Sequence, residues 1–356
     1  MKSNNTKYAE LADWLRKNIR SNHFKSGDRL MSEHSLCKEF GVSRHTVRAA
    51  IATLEEEGLL SRKQGSGTYI NSKQDDKKNI GVLLTHSSAY TFPNIVSGIE
   101  KVLAEKGHYI ILGLTHNKVD IEHNRLLSML DADIDGLIVE AVRPALANPS
   151  LNSYSEFYRR KIPVIFINAF HPKLDCNYIE NGDIEGAEIA TGHLIKNGHR
   201  KIGGMFNRSS IQGERRYEGY INALHKEGIA IDESRVIWYT DDSYSLIFSD
   251  EGLTQLSETF AKCTAVLCYS DLIASRLVRS AAKLGLSIPD DLSIASFDNA
   301  LFANLITPRI TTIAHRGEDI GKLAAESILE IIQNPEHTVR HVYKPELIIR
   351  DSVRTV

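Results

Sequence analysis

Near the start of the chain, amphipathic stretches alternate with glycine and polar breaks. Over residues 5–22, Tyr8, Leu11, Leu15 and Ile19 fall along one helical stripe with Trp14 beside it, until Ser26-Gly27-Asp28 interrupts the period. A second helix is predicted after Ser32, with Leu36, Cys37 and Phe40 on its apolar side. It stops at Gly41, which tolerates the left-handed conformation common at helix ends. Ser43 is suited to cap a third helix, whose buried face would be Val47, Ala50, Ile51 and Leu54 and which Gly58 terminates. Leu59-Leu60-Ser61-Arg62 and Thr68-Tyr69-Ile70 then read as two short strands joined by the glycine-rich tip Lys63-Gln64-Gly65-Ser66-Gly67. Three helices followed by a hairpin predict a winged helix-turn-helix over residues 1–71.

The polar run 72–78 has no apolar anchor and reads as a flexible linker. From Asn79 the pattern changes to short apolar runs without polar alternation, separated by amphipathic stretches. The runs include NIGVLL, YIILGL, GLIVE, PVIFIN, KIGGMF, TAVLCYS and LSIASF. Continuous apolar strands alternating with helices indicate parallel sheets covered on both faces. There are more such strands than one compact lobe uses, so residues 79–356 are expected to form two Rossmann-like lobes. The overall class is α/β with a small helical head.

Composition sharpens this division. With 356 residues, 42% of them hydrophobic and 25% charged, the chain is ordinary globular material that exceeds one core. The net charge of -2 hides an asymmetry: residues 1–72 carry 12 Lys/Arg against 8 Asp/Glu, the remainder 31 against 37. A basic head on an acidic body suits a module that binds a polyanion. Cys37, Cys176, Cys263 and Cys268 are too irregularly spaced for a disulfide framework or a zinc site. No run is long enough to cross a bilayer as a helix and the N-terminal stretch is broken by charges, so a cytoplasmic location away from any membrane is expected.

The third helix opens with Ser43, Arg44, His45 and Thr46, donors placed to enter a major groove. Arg44 and Arg48 lie one turn apart, where a guanidinium forks onto guanine or phosphate; Ser43 and Thr46 are expected on phosphates. Lys63, Gln64 and Gly65 form the wing tip, whose glycine allows close approach to the nucleic acid. Residues 7–70 resemble the GntR-type winged helix through Lys7-Tyr8, Gly27-Asp28-Arg29-Leu30, Ser32-Glu33, Phe40 to Arg48 and Gly65-Ser66-Gly67-Thr68-Tyr69. The resemblance implies that Lys7, Glu33, Arg44, Arg48 and the wing tip meet double-stranded operator DNA.

Ligands of open parallel sheets settle at the carboxyl ends of the strands. Those ends hold Glu140, Asn168, Asp271 and Asp298, and the first strand leads to His86, Tyr90 and Phe92. Carboxylates and an amide near aromatic faces suit a sugar, with Arg216 as the matching donor and Arg215 as the alternative. Residues 79–350 resemble the LacI-type effector domain, through Ile138-Val139-Glu140, Gly192-His193-Leu194, Gly198-His199-Arg200-Lys201-Ile202, Cys268 to Asp271, Ile288 to Ile294, Phe297-Asp298 and Pro345 to Arg350. This implies effector contacts for Asp271 and Asp298. A GntR-type head joined to such a sensor is similar to the arabinose-responsive repressors, which implies L-arabinose as the effector.

The reading is a homodimeric repressor of sugar-utilisation genes, released from DNA by a small sugar, without cofactor, metal or catalytic residues. Another pentose, a hexose or a sugar phosphate stays open as the ligand. An enzyme on a doubly wound sheet is the rival from another class. Against it, the chain carries no Gly-x4-Gly-Lys-Ser/Thr loop, no strand-borne Gly-x-Gly-x-x-Gly and no Gly-x-Ser-x-Gly elbow.

Overall fold

The computed structural model describes residues 3–20, 24, 27–63, 66–71, 77–85, 90–144, 151–171 and 173–356, with side chains in the first helix from Lys7 to Ile19. Gln64, Gly65, His86 and residues 72–76 of the expected linker lie outside the described residues. The chain divides into two compact units, Met1–Lys78 and Asn79–Val356.

The first unit contains α1 (Ser3–Arg20), α2 (Glu33–Phe40), α3 (Arg44–Glu56), β1 (Leu60–Lys63) and β2 (Gly67–Ile70). The apolar stripes close one core: Leu11, Leu15, Leu36, Val47, Ile51, Leu54, Leu60 and Ile70 are buried together. Ser32 caps α2 by accepting from the Ser35 N–H, so the start of that helix is set by the cap. Gly41 ends it at φ 60°, where a Cβ would be strained. Ser43 then caps α3 by accepting from the Thr46 N–H at 3.2 Å. The turn between the helices is therefore held by two side-chain caps and one left-handed glycine. The hairpin pairs Leu60 with Ile70 and Lys63 with Gly67, antiparallel, and Arg29 adds an isolated bridge to Tyr69.

The second unit runs β3 (Asn79–Leu84), α4 (Phe92–Glu105), β4 (Tyr109–Leu114), α5 (Val119–Asp131), β5 (Gly136–Val139), α6 (Leu151–Arg159), β6 (Val164–Ile167) and β7 (Asn177–Asn181). It continues with α7 (Asp183–Lys196), β8 (Ile202–Asn207), α8 (Ile211–Lys226), β9 (Val236–Tyr239), α9 (Tyr244–Ile247), α10 (Asp250–Phe260), β10 (Ala265–Cys268), α11 (Asp271–Lys283) and β11 (Ser293–Asp298). β12 (Thr311–Ala314), α12 (Gly317–Gln333), β13 (Arg340–Tyr343) and β14 (Leu347–Ile348) complete it. Among the described residues of this unit two six-stranded sheets result, ordered β13-β7-β6-β5-β3-β4 and β14-β12-β11-β10-β8-β9. Every pairing is parallel except β12 with β14. The chain passes between the lobes three times, after β7, β12 and β13, so neither lobe is built from one continuous segment.

Strands β3, β5, β6, β8, β10 and β11 are the apolar runs expected from sequence, buried along nearly their whole length. The expected runs did not include β7, β9, β12, β13 or β14, and one expected run, β4, is an edge strand with Tyr109 and Leu112 exposed rather than a strand covered on both faces. β13 is the edge strand and alternates exposed Arg340 and Val342 with half-buried His341 and Tyr343, while β7 beside it places Tyr178 and Ile179 against two different apolar clusters and so carries its polar residues without a long apolar run. Each lobe nevertheless has its own core, around Ile80, Val82, Ile99, Ile138 and Ile328 in the first and Met205, Val266, Leu277 and Ile294 in the second.

Candidate functional site

In the first unit, the outward face of α3 presents Arg44, His45 and Arg48, all exposed. Arg44 has no hydrogen-bond or ion-pair partner among the described residues. Arg48 is held instead: its Nε donates to Glu33 Oε2 at 2.9 Å. The same carboxylate lies 3.7 Å from Arg62 on β1, so Glu33 ties the first turn of α2 to α3 and to the hairpin. Such half-exposed pairs add little stability, but they fix where the arginines point. Lys7 is exposed on α1, and Lys63 is exposed with its ammonium 4.9 Å from the Tyr69 ring centroid. Thr46 departs from the expectation of a phosphate contact. It is buried, and its hydroxyl is hydrogen-bonded to Ser43 at 2.9 Å, because the cap of α3 claims both side chains. Arg62, which the sequence reading did not single out, joins this basic face.

In the second unit, a cleft of about 430 Å³ lies between the lobes, and the carboxyl ends of nine strands reach it. Thr85 follows β3, Glu140 β5 and Asn168 β6; Asn181, Asn207 and Tyr239 end β7, β8 and β9. Tyr269 follows β10, Asp298 ends β11 and His315 follows β12. Parallel strands put all these ends on one side of each sheet, which is the reason the polar residues converge.

From the first lobe, Glu140 Oε2 accepts from the Thr85 N–H at 2.9 Å and from its hydroxyl, while Oε1 accepts from Asn168 Nδ2 at 3.1 Å. That orientation leaves Asn168 Oδ1 as acceptor for His315 Nε2–H at 3.2 Å, across the cleft. Burial lowers the His315 pKa, which keeps the ring neutral.

From the second lobe, Arg216 is buried between two carboxylates. Its Nε donates to Asp183 Oδ1 at 2.7 Å and its Nη1 lies 3.7 Å from Asp298 Oδ1. The guanidinium also donates to the Tyr269 carbonyl and lies 4.1 Å from the Phe297 ring centroid. Gly213 makes this placement possible: a Cβ there would stand 1.8 Å from the Asn207 carbonyl oxygen, so only glycine lets α8 start against the end of β8. Tyr90 reaches across from the first lobe and donates its hydroxyl to Asp298 Oδ2. Asp241 accepts from Asn117 Nδ2 at 2.6 Å and Asn207 Nδ2 at 2.8 Å, forming a further bridge between the lobes.

Tyr90, Glu140, Asn168, Arg216 and Asp298 therefore come together on the cleft, as their positions in the sequence suggested. Arg215 does not join them, because its guanidinium pairs with Glu180 Oε2 at 2.5 Å and lies over Phe170. Phe92 and Asp271 also depart from the expectation. Phe92 opens α4 and packs against the first lobe's core, since the helical turn carries it away from Tyr90. Asp271 is fully buried behind the cleft wall, accepting from the Ser296 hydroxyl and from the Ala300 N–H at 2.7 Å. It braces the loop holding Asp298, whose φ of 107° is disfavoured for a residue with a Cβ.

Burial and the nearby Asp298 charge push the Asp271 carboxyl up to about 7. The unfolded carboxyl titrates near 4, so between about pH 4 and 7 the folded chain binds the extra proton. This group's contribution to stability is then fully present below pH 4 and is lost as pH rises through 7. Asp271→Asn is expected to flatten that part of the profile, measured as melting temperature from pH 5 to 7.5. An unchanged slope would assign the pH dependence to other groups.

The sequence reading missed Asn117, Asn207, Tyr239, Asp241, Tyr269 and His315. Asn207, Tyr239, Tyr269 and His315 stand at strand ends and were accessible to the same rule. Asn117 and Asp241 come from loops that meet only across the cleft, and nothing local marks them. Among the described residues no cluster of three or more His, Cys, Asp or Glu forms a metal site, and no helix is long and apolar enough to cross a membrane.

Fold and site together define a regulator in which a winged helix-turn-helix is coupled to a two-lobed small-molecule sensor. Residues 7–70 match the bacterial regulatory proteins of the gntR family, and residues 191–353 match the periplasmic binding protein-like domain. The chain is 34% identical over 359 residues to the arabinose metabolism transcriptional repressor of Geobacillus stearothermophilus, covering 98% of both chains. It is 31% identical to the repressor of the same name from Halalkalibacterium halodurans, covering 98% of this chain and 96% of that one. The chain belongs to the family of arabinose metabolism transcriptional repressors.

Among solved structures, a LacI family regulator from Enterococcus faecium with bound ribose aligns with TM-score 0.67 at 25% identity, covering 78% of this chain and all of that one. The transcription regulator CcpA of Lactococcus lactis, at 20% identity and TM-score 0.68, shares the fold over 78% of this chain and all of that one. The protein is thus a sugar-responsive, DNA-binding transcription repressor and not an enzyme; its partners are operator DNA and a small sugar.

Proposed function

We propose that the effector is L-arabinose and that its binding between the lobes releases the repressor from DNA controlling sugar-utilisation genes. The observation that carries this reading is the cleft itself. Carboxylates, amides and a buried arginine surround it in alternation with Tyr90, Tyr239, Tyr244 and Tyr269. Sugars need both kinds of wall, acceptors and donors for their hydroxyls and flat apolar surfaces for their C–H faces. The names of the two full-length relatives supply the particular sugar.

In this reading Tyr90, Glu140, Asn168, Arg216 and Asp298 hold the sugar, and Asp271 positions Asp298. Residues 1–71 form the DNA-binding head, 72–78 the linker and 79–356 the sensor. Arg44, His45, Arg48, Lys7 and Lys63 meet the operator, with Glu33 aligning Arg48 and Arg62. The protein acts in the cytoplasm as a homodimer, whose two heads read two operator half-sites. The effector biases DNA affinity only through its unequal affinity for the two arrangements of the lobes, typically 1–3 kcal/mol of coupling.

The test is fluorescence anisotropy on a palindromic operator at fixed salt, with L-arabinose, other pentoses, hexoses and a sugar phosphate as titrants. Release by L-arabinose at concentrations where the others do nothing is the expected result. Tight operator binding indifferent to every sugar would sink the account of the cleft, and protection of a single half-site in a footprint would sink the dimer.

A further inference from the structure

Every carboxylate that lines the cleft among the described residues has a protein donor: Glu140 has Thr85 and Asn168, Asp183 and Asp298 share Arg216, and Asp241 has Asn117 and Asn207. Among the described residues, one charged group on that wall has no partner. Arg143 lines the cleft, its Nε is buried without a hydrogen-bond partner, and among the described residues its guanidinium meets no acceptor and no aromatic face. A buried donor without an acceptor is costly, and native proteins keep few of them.

The backbone adds a second observation. Arg143 is left-handed, with φ 43°, directly before Pro144, a combination that a residue with a Cβ adopts only when its surroundings impose it. The surroundings are visible. Glu122 is fully buried beneath the cleft wall, and its Oε1 accepts from the Val142 N–H at 3.3 Å and from the Tyr154 hydroxyl at 2.8 Å. Tyr154 is itself locked against Phe166. A buried anchor therefore holds the residue before Arg143, and Arg143 itself lines the cleft in an unfavourable backbone conformation. Strain and an orphaned donor at the same residue mark a position kept for a ligand rather than for the fold.

We propose that Arg143 is the specificity-determining donor of the cleft and takes two neighbouring oxygens of the bound sugar. A planar guanidinium donates two parallel N–H groups, which matches adjacent hydroxyl oxygens and discriminates against sugars that lack either one. The inference rests on the sugar reading above and deepens it, by assigning one edge of the sugar to one residue.

The test is a double-mutant cycle by calorimetry on the full chain, crossing wild type, Arg143→Lys and Arg143→Met with L-arabinose and its monodeoxy analogues. Arg143→Met is expected to weaken L-arabinose about 10- to 100-fold, as for a lost hydrogen bond to a charged group. Two analogues lacking adjacent hydroxyls should bind wild type correspondingly weakly, yet bind Arg143→Met as well as L-arabinose does. Arg143→Lys should recover part of the loss.

Melting of the unliganded variants serves as the folding control, and Arg143→Met should melt at or above the wild-type temperature because an orphaned donor is gone. Affinity within twofold of wild type would overturn the proposal. So would a loss spread evenly over all analogues, which would make Arg143 a structural residue. If wild type binds a different sugar, the effector identity falls and the same cycle on that sugar decides the role of Arg143; binding of no sugar overturns both.

Discussion

Arg216→Met is expected to leave the repressor on its operator at sugar concentrations that release the wild type, with sugar affinity reduced at least 100-fold. The guanidinium is the only described positive group engaged by Asp183 and Asp298, and it is stacked near Phe297 and Tyr269. Methionine preserves much of the side chain's volume but leaves two carboxylates facing each other without a counter-charge. Breaking a buried pair in this way costs about 3–5 kcal/mol. The sensor unit should therefore melt earlier, while the winged helix keeps its own core. Asp298→Asn separates the two consequences: it retains Asp183 for Arg216 and removes one sugar acceptor. It should weaken the sugar with a smaller loss of stability. Calorimetric titration and thermal melts of both variants check this, and unchanged sugar affinity in both would remove Arg216 and Asp298 from the effector site.

Arg44→Ala is expected to have the largest effect on DNA. Arg44 is exposed on the first turn of α3 and has no partner among the described residues, so its loss should not disturb the head's core. A bidentate contact to a base is worth about 1–3 kcal/mol, which corresponds to roughly 5- to 150-fold in operator affinity. If Arg44 reads a base, the variant loses discrimination at that position and keeps its salt dependence; if it holds a phosphate, the slope of log affinity against log salt falls by about 0.9. Arg48→Ala should cost less, because Glu33 already accepts from Arg48 and the free state loses that pair as well. Anisotropy on operator variants across a salt series separates these outcomes. An Arg44→Ala chain that binds the operator as tightly as wild type would contradict the assigned face.

The pattern of apolar positions was enough to recover the winged helix, because each of its helices must bury one stripe in a small common core. Leu11, Leu15, Val47, Ile51 and Leu54 are buried where the 3.6-residue period predicts. Gly41 and the two serine caps are equally local signals. The strands of the sensor were legible for a related reason: a parallel strand covered on both faces admits almost no polar residue until it ends. The first polar residue after each run is consequently both an end marker and a cleft residue, as Glu140, Asn168, Asn207 and Asp298 illustrate.

Local pattern could not say which way a side chain turns after the strand stops. Asp271 and Asp298 follow adjacent strands and look alike in sequence, yet one is sealed behind the wall and the other faces the cleft. The difference arises because the Ser296 hydroxyl and the Ala300 N–H claim Asp271 from inside. Arg215 and Arg216 are divided in the same manner, one by Glu180 and the other by Asp183 and Asp298, carboxylates distant in the chain. That the Nε of Arg143 finds no acceptor is likewise visible only in three dimensions.

By itself, then, the sequence determined the two units, the parallel sheets, the winged helix and some of the strand ends that build the cleft, Glu140, Asn168 and Asp298 among them. Those depend on periodicity and on residues near one another along the chain. Tertiary structure alone decided the pairing of charges and the partners that bridge the lobes. Such electrostatic contacts depend on three-dimensional distance, and here they join residues up to 208 positions apart.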